Sequence, residues 1–324
     1  MDRLLPSRSS ASAEADGYGL FATDCYSHVA ATFGGGAFRS TDNGDSWAQL
    51  NTGVPNATFL SLTINASGYI FAGGDPLGGP VGVLRSTDNG DTWQPVNNGL
   101  TTGNGINALI ATVNGYLFAG SYGDGVFRSS DNGDHWIQVN NGLTALFVLS
   151  FATNASGDVL AGTYFGNGVF RSTDDGDSWN EKNNGLIATE VRTIAAQGPI
   201  PRIHSANINA ADFIFAGTYG RGMFRSPDSG QNWQQINSGL LALYESALAF
   251  NTNGYIFVGA DFVGGTGGVY RSTDYGDSWV EINHDMIQPD VRALATNRVA
   301  TFLQGHILAA SFSDRQTMET AGRR

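Results

Sequence analysis

The stretch 106–140 shows the pattern of apolar and polar positions that runs through most of the chain. Ile106–Thr112 is an apolar run, Val113-Asn114-Gly115 breaks it, and Tyr116–Gly120 is a second run. A glycine-rich loop, Ser121–Gly125, leads to Val126-Phe127-Arg128-Ser129. Asp131–Gly133 then turns the chain into Trp136-Ile137-Gln138-Val139. Short apolar runs bounded by Gly, Asn and Asp read as strands, so this segment predicts four, A to D in chain order. One such sheet leaves two faces to cover, and stacking several around an axis covers both.

The same pattern recurs around one phrase: Arg39–Trp47 (RSTDNGDSW), Arg85–Trp93, Arg128–Trp136, Arg171–Trp179, Arg225–Trp233 (RSPDSGQNW) and Arg271–Trp279. All six tryptophans lie in these copies. Successive central aspartates are 46, 43, 43, 54 and 46 residues apart, the period of a four-stranded propeller blade. The expected fold is therefore all-β, a β-propeller of six complete blades. A partial seventh has strand A at Val291–Thr296 and strand B near Ile307–Phe312. Residues 1–17 read as a disordered lead-in, 18–312 as one propeller and 313–324 as a tail.

The phrase S-x-D-x-G-x-S/T-W resembles the Asp-box (BNR) repeat of sialidases, sortilin, xyloglucanases and photosystem assembly factors. That resemblance implies the propeller fold and an extracellular or periplasmic setting, although no signal peptide is visible in this chain. It does not imply one chemistry, because these relatives share a fold and not a reaction. Asp42, Asp88, Asp131, Asp174, Asp228 and Asp274 are expected to be structural. Each carboxylate should accept backbone N–H bonds across its turn, the glycine should take a positive φ, and the Trp should be buried between blades. The arginine opening each copy occupies one strand position in every blade and reads as scaffold too. His135, Pro227 and Asn232 vary the phrase, and those hairpins should keep their shape.

Composition then removes function classes. Glycine supplies 44 of 324 residues and the net charge is −12, so there is no electrostatic footprint for nucleic acid. No apolar run nears the ~18 residues of a membrane helix. Cys25 stands alone, and no metal-type Cys/His spacing occurs. The sequence therefore calls for no metal, no cofactor and no membrane insertion.

Candidate chemistry lies where the repeat is broken. The B–C and D–A loops share one propeller face, around the mouth of the axial channel, and the repeated turns lie on the other. Aligned strands A keep a small residue at one position (Ser61, Ala108, Ser150, Thr193, Ala247, Ala293). One residue earlier they vary: Leu60, Asn107, Leu149, Arg192, Ser246, Arg292. With the neighbouring Glu190, Tyr244, Glu245 and Asp290, and with Arg221 from a B–C loop, these residues mark a ligand site at the mouth of blades 5 to 7. Its ligand should be anionic or polyhydroxylated, because arginine forks clasp carboxylates. The B–C loops add Asp75, Tyr122, Asp124, Tyr164, Phe165, Tyr219, Asp261 and Phe262, aromatic rings beside carboxylates that suit sugars. An insertion at 198–211, with Arg202 and His204, lengthens blade 5 on the opposite face. Arg192, Arg221, Arg292, Tyr244, Glu245 and Asp290 supply the residue types of a sialidase site. Adjacent Tyr244 and Glu245 would point to opposite faces of a strand, which is poor for a relay. The expected function is a non-catalytic binding or scaffold propeller recognising a glycan or protein surface, with a glycoside hydrolase as the alternative.

Overall fold

The computed structural model describes residues 20–23, 28–32, 36–41, 46–50, 58–74, 82–165, 167–188, 190–197, 213–251, 253–263, 266–283, 291–296 and 307–311. The expected lead-in, the tail, the blade 5 insertion, Asp42 and Asp290 lie outside them. Every described element is a strand. Six four-stranded antiparallel sheets follow one another in sequence, each with its strands in the order A-B-C-D, and they are the blades of a β-propeller. In blade 3 the strands are Ile106–Ala111, Leu117–Ser121, Val126–Ser129 and Ile137–Gln138. The D strands are only two residues long, because the tryptophan before each faces the preceding blade. Val291–Thr296 and Ile307–Ser311 form a separate two-stranded sheet.

The core lies between blades. One cluster joins Phe71, Val83 and Val96 of blade 2 to Ile106, Leu117, Phe127 and Trp136 of blade 3. The next joins Phe118, Val126 and Val139 of blade 3 to Val148, Val159, Phe170 and Trp179 of blade 4. Phe71, Phe118, Phe127 and Phe170 are at most 1% exposed, and each such side chain contributes about 1.5–3 kcal/mol. No blade could bury these residues alone.

Polar bonds fix the angle at which blades meet. The Trp136 indole N–H donates to the Val96 carbonyl 2.8 Å away, and its backbone N–H donates to Asn98 at 2.8 Å. Trp179, Trp233 and Trp279 repeat both bonds on blades 3, 4 and 5. The turn receiving the tryptophan needs glycine. At Gly142, φ is +80° and a Cβ would lie 2.2 Å from the Trp179 carbonyl oxygen, so any side chain would drive the blades apart. In the other direction, the repeat arginines of blades 1 to 5 reach the next blade's turn. Arg85 Nη1 donates to the Asn132 carbonyl and to Asp134, both at 2.8 Å, and Arg39 and Arg225 do the same one blade on.

Inside each turn the carboxylate organises the hairpin. Asp131 Oδ1 accepts from the His135 backbone N–H at 2.9 Å and from the Ser129 hydroxyl at 2.8 Å; its Oδ2 meets His135 Nδ1 at 2.7 Å. Ser129 Oγ in turn accepts from the Gly133 N–H. Asn132 and Gly133 are both left-handed, with φ of 58° and 88°. Asn232 replaces the usual hydroxyl in blade 5 and reaches Asp228 Oδ2 at 2.6 Å, so the varied hairpins keep their shape.

One exchange tests this frame. Blade 5 has Gln231 where blades 2, 3, 4 and 6 have Asp91, Asp134, Asp177 and Asp277. Arg171 therefore finds no carboxylate on the next turn, although it still donates to the Ser229 carbonyl at 3.1 Å. It pairs instead with Asp158 of its own blade, Nε to Oδ2 at 2.9 Å. Asp158 occupies the place of Tyr69, Tyr116 and Tyr255, and two of those rings lie under an arginine guanidinium. The negative charge has moved from one side of Arg171 to the other.

Two outcomes are expected. Asp131→Ala lowers stability by about 1 kcal/mol, the low end for a lost hydrogen-bond acceptor because this carboxylate is two-fifths exposed. Burial raises the Asp131 pKa, but the bonds from His135 and Ser129 outweigh it and hold the group below its ordinary value. The difference between wild type and variant in denaturant titrations should therefore narrow as pH falls through that lowered range. Asp158→Tyr strips a half-buried Arg171 of its carboxylate and costs about 2 kcal/mol. Adding Gln231→Asp in that background should restore at least half, read as a double-mutant cycle on thermal melts.

Candidate functional site

The position at which the strand A alignment breaks down is a β-bulge. In blade 3, Ser121 pairs with Ile106 and Gly120 with Ala108, leaving Asn107 unpaired. The same slip leaves Leu60, Leu149, Arg192 and Ser246 unpaired in blades 2, 4, 5 and 6. A bulge inserts one residue without disturbing the flanking register and re-aims its side chain. That residue is free of the packing demands on its neighbours, so it can differ from blade to blade at the channel mouth.

In blade 5 this freedom places Arg192 in a closed set of partners. Its Nε donates to Glu190 at 2.8 Å and its Nη1 to Asp261 of blade 6 at 2.9 Å. Its guanidinium lies over the Tyr219 ring, 4.1 Å from the centroid. The Ser246 hydroxyl, itself at the blade 6 bulge, donates to the other oxygen of Asp261. Arg192 is thus already balanced by two carboxylates. Tyr219 stacks edge-on against Tyr244, centroids 4.6 Å apart. Arg221 is exposed between left-handed Gly220 and Gly222, and its carbonyl accepts from Gln235 and Asn237.

A second aromatic group sits one blade back. Tyr122 meets Phe147 edge-on at 4.8 Å, Phe147 meets Phe165 at 5.1 Å, and Tyr164 lies 3.9 Å from Phe165. Burial raises the Tyr164 pKa, with the Glu190 charge adding to it. Phe165 is 66% exposed and has φ +55°. A bulky side chain in left-handed backbone costs about 1–2 kcal/mol. Blades 3 and 5 have Gly123 and Gly220 after the equivalent tyrosine, and the blade 4 loop is one residue longer, with Phe165 before its glycine. Phe165 is one of the B–C loop aromatics expected from the sequence; the length of its loop is the signal that sets it apart from Tyr122 and Tyr219.

Glu245 lies apart from the mouth surface. It occupies the place of Phe59, Ile106, Val148, Val191 and Val291, all 0% exposed like Glu245 itself. It packs against Gly217 of blade 5, where a Cβ would stand 2.8 Å from the Glu245 Cβ. Neither carboxyl oxygen has a hydrogen-bond partner. Burial, with the Asp261 charge second, holds its pKa well above the carboxylate range. As a direct ligand contact Glu245 is therefore corrected: its register puts it between blades, while Tyr244 faces the mouth. The two do not form a relay.

Asp290 and Asp75 lie outside the described residues, as do the side chains of Arg292 and Phe262. The structure brings together Glu190, Arg192 and Tyr244 with the B–C loop residues Asp261 and Tyr219. Among the described residues no group of three His, Cys, Asp or Glu side chains could hold a metal ion. No described helix is long and apolar enough to cross a membrane.

Stacked four-stranded blades with a varied mouth define a propeller domain. The chain belongs to the DUF6242 beta propeller domain family, whose model matches residues 46–318. No protein of curated function matches it in sequence. Among solved structures, the extracellular domain of a one-component system from B. thetaiotaomicron is 18% identical with a TM-score of 0.66, over 93% of this chain and 38% of that one. YCF48 bound to a D1 peptide is 16% identical with a TM-score of 0.66, over 92% of this chain and 91% of YCF48. A GH74 xyloglucanase from Xanthomonas campestris is 19% identical with a TM-score of 0.62, over 92% and 42%. The chain spans less than half the length of the first and third of these, and at such identities the likeness is one of fold.

Glu245 generates a prediction with a definite sign. Its folded pKa is raised, so it is neutral where the unfolded chain's carboxyl has already ionised. Stability is then lost as pH rises from about 4.3, the unfolded value, through the folded pKa. Glu245→Val, the residue of blades 4 and 5, should raise the melting temperature at pH 7. The gain should shrink towards pH 4 in melts recorded across that range.

Proposed function

We propose that this chain is a non-catalytic binding propeller whose ligand sits on the mouth face over blades 3 to 6. The observation that carries this reading is the division of labour at the mouth. The charges of Arg192, Glu190 and Asp261 are spent on one another, whereas Tyr122, Phe165 and Tyr219 are 42%, 66% and 43% exposed. Such a surface is made to be covered by a ligand. In this reading the six repeated turns are Asp-boxes with a structural role, and 18–312 is one ring. The sheet of Val291–Thr296 and Ile307–Ser311 is the inner half of a seventh blade. An extracytoplasmic setting is supported by the B. thetaiotaomicron extracellular domain, and ligand binding by YCF48, whose structure was solved bound to a D1 peptide.

A glycoside hydrolase is the second reading. It is favoured by Glu245 beside Asp261, because a carboxyl kept neutral next to an ionised one is an acid–base signature. Against it, Glu245 is fully buried and exposes no atom to a substrate.

The test is a panel of defined oligosaccharides and synthetic peptides captured on the immobilised protein and identified by mass spectrometry. Bound species should be recovered intact, and a Tyr219→Ala, Tyr244→Ala protein should lose part of the capture. Shortened products that disappear in Glu245→Gln would establish the hydrolase instead.

A further inference from the structure

We propose that Phe165, backed by Phe147, Tyr122 and Tyr164, is a stacking platform for a neutral oligosaccharide at the rim between blades 3 and 4. This rests on the mouth face being a binding surface and names its ligand class. The first argument is conformational. Phe165 holds a left-handed backbone of the kind that favours glycine, in a loop one residue longer than those of blades 3 and 5, and it leaves two-thirds of its surface in water. Strain of this kind persists at sites that use it. Packing does not account for it, because the ring is not buried. Its neighbours fix its pose from one side: Phe147 meets it edge-on and Tyr164 lies beneath at 3.9 Å.

The surrounding polar groups fit sugar hydroxyls. The hydroxyls of Tyr122 and Tyr164 make no hydrogen bond to another described residue. Asp124, two residues from Tyr122, has Oδ2 held by the Thr102 hydroxyl at 2.7 Å and by Asn104 at 3.0 Å. Its Oδ1 accepts from no described residue. The loop tip at Gly123 lies between Asn104 and the Phe147 ring, so this carboxylate and the aromatic group border the same loop. A pyranose ring presents C–H groups to an aromatic face and hydroxyls at its edge, which is this arrangement.

An extended peptide is less well served. Peptides that add to a sheet need free backbone donors and acceptors, and here the rim backbone is already paired. Tyr122 N–H donates to Gly105, Gly123 and Gly125 N–H both donate to Leu146, and Tyr164 N–H donates to Phe147. An acidic sugar is disfavoured because the nearby Arg192 is balanced by Glu190 and Asp261.

Cellohexaose, whose equatorial hydroxyls leave both ring faces flat, and maltohexaose are the probes, titrated calorimetrically into the whole chain. At least one should bind with a sub-millimolar Kd. Phe165→Gly should weaken it about tenfold or more without lowering the melting temperature, because glycine relieves the strain. Phe165→Trp should keep the affinity. The platform is overturned if neither hexaose binds, if Phe165→Gly binds like wild type, or if that variant loses binding together with thermal stability. Binding lost in Tyr219→Ala, Tyr244→Ala but kept in Phe165→Gly would remove the platform and leave the mouth-face reading. Cleavage of a hexaose still held through Phe165 would sink the non-catalytic reading and leave the platform.

Discussion

Everything in this molecule depends on how one blade grips the next. The hydrophobic contact between blades supplies most of the free energy but sets no angle, because apolar burial is non-directional. Direction comes from a two-way polar clasp. The tryptophans of blades 3 to 6 donate backward to the carbonyls of the blade before, and the arginines of blades 1 to 5 donate forward to the turn of the blade after. A left-handed glycine lets the backward contact close. Since the same bonds recur at successive interfaces, the same rotation recurs, and repeated rotation about one axis gives a ring.

That regularity has a consequence for function. Residues in the clasp are held by partners on neighbouring blades, so changing one disturbs an interface. The bulge in strand A sits at the other end of the blade, where the register slips by one residue and a side chain is released from packing. Asn107, Leu149, Arg192 and Ser246 share this position with nothing else in common. Repeated and variable positions are thereby separated along the blade: the turns lie at one end of its strands and the bulge at the other.

The sequence was most legible where the repeat is strictest. Four strands per period, six blades, and the roles of the turn carboxylate and glycine all follow from spacing and residue type. The variable strand position was also legible as a break in pattern, but its cause was not, because a bulge leaves no mark in composition. Partnerships across blades were hidden for a related reason. Arg192 reaches Asp261 across 69 residues of sequence, and no local pattern links them. Glu245 was read as a mouth residue because it adjoins Tyr244. Extending the strand alignment by one position would have set it beside Phe59, Ile106, Val148, Val191 and Val291 and marked it as a carboxyl in an apolar slot.

Departures from the repeat therefore fall into two kinds, and the distinction is physical. Gln231 removes a carboxylate from one turn, and Asp158 returns one to the same arginine from the other side. The Arg171 charge is satisfied either way, so the exchange is neutral for the frame and says nothing about function. Phe165 and Glu245 have no such counterpart. A phenylalanine takes a backbone that glycine adopts freely elsewhere and gains no burial from it. A glutamate takes a slot that valine fills elsewhere and gains no hydrogen bond. Each lowers the stability of the ring, and neither gains a hydrogen bond or burial that offsets it. Of the two, only Phe165 is exposed, so only there can something outside the fold complete the interaction; Glu245, sealed between blades, carries its cost within the frame.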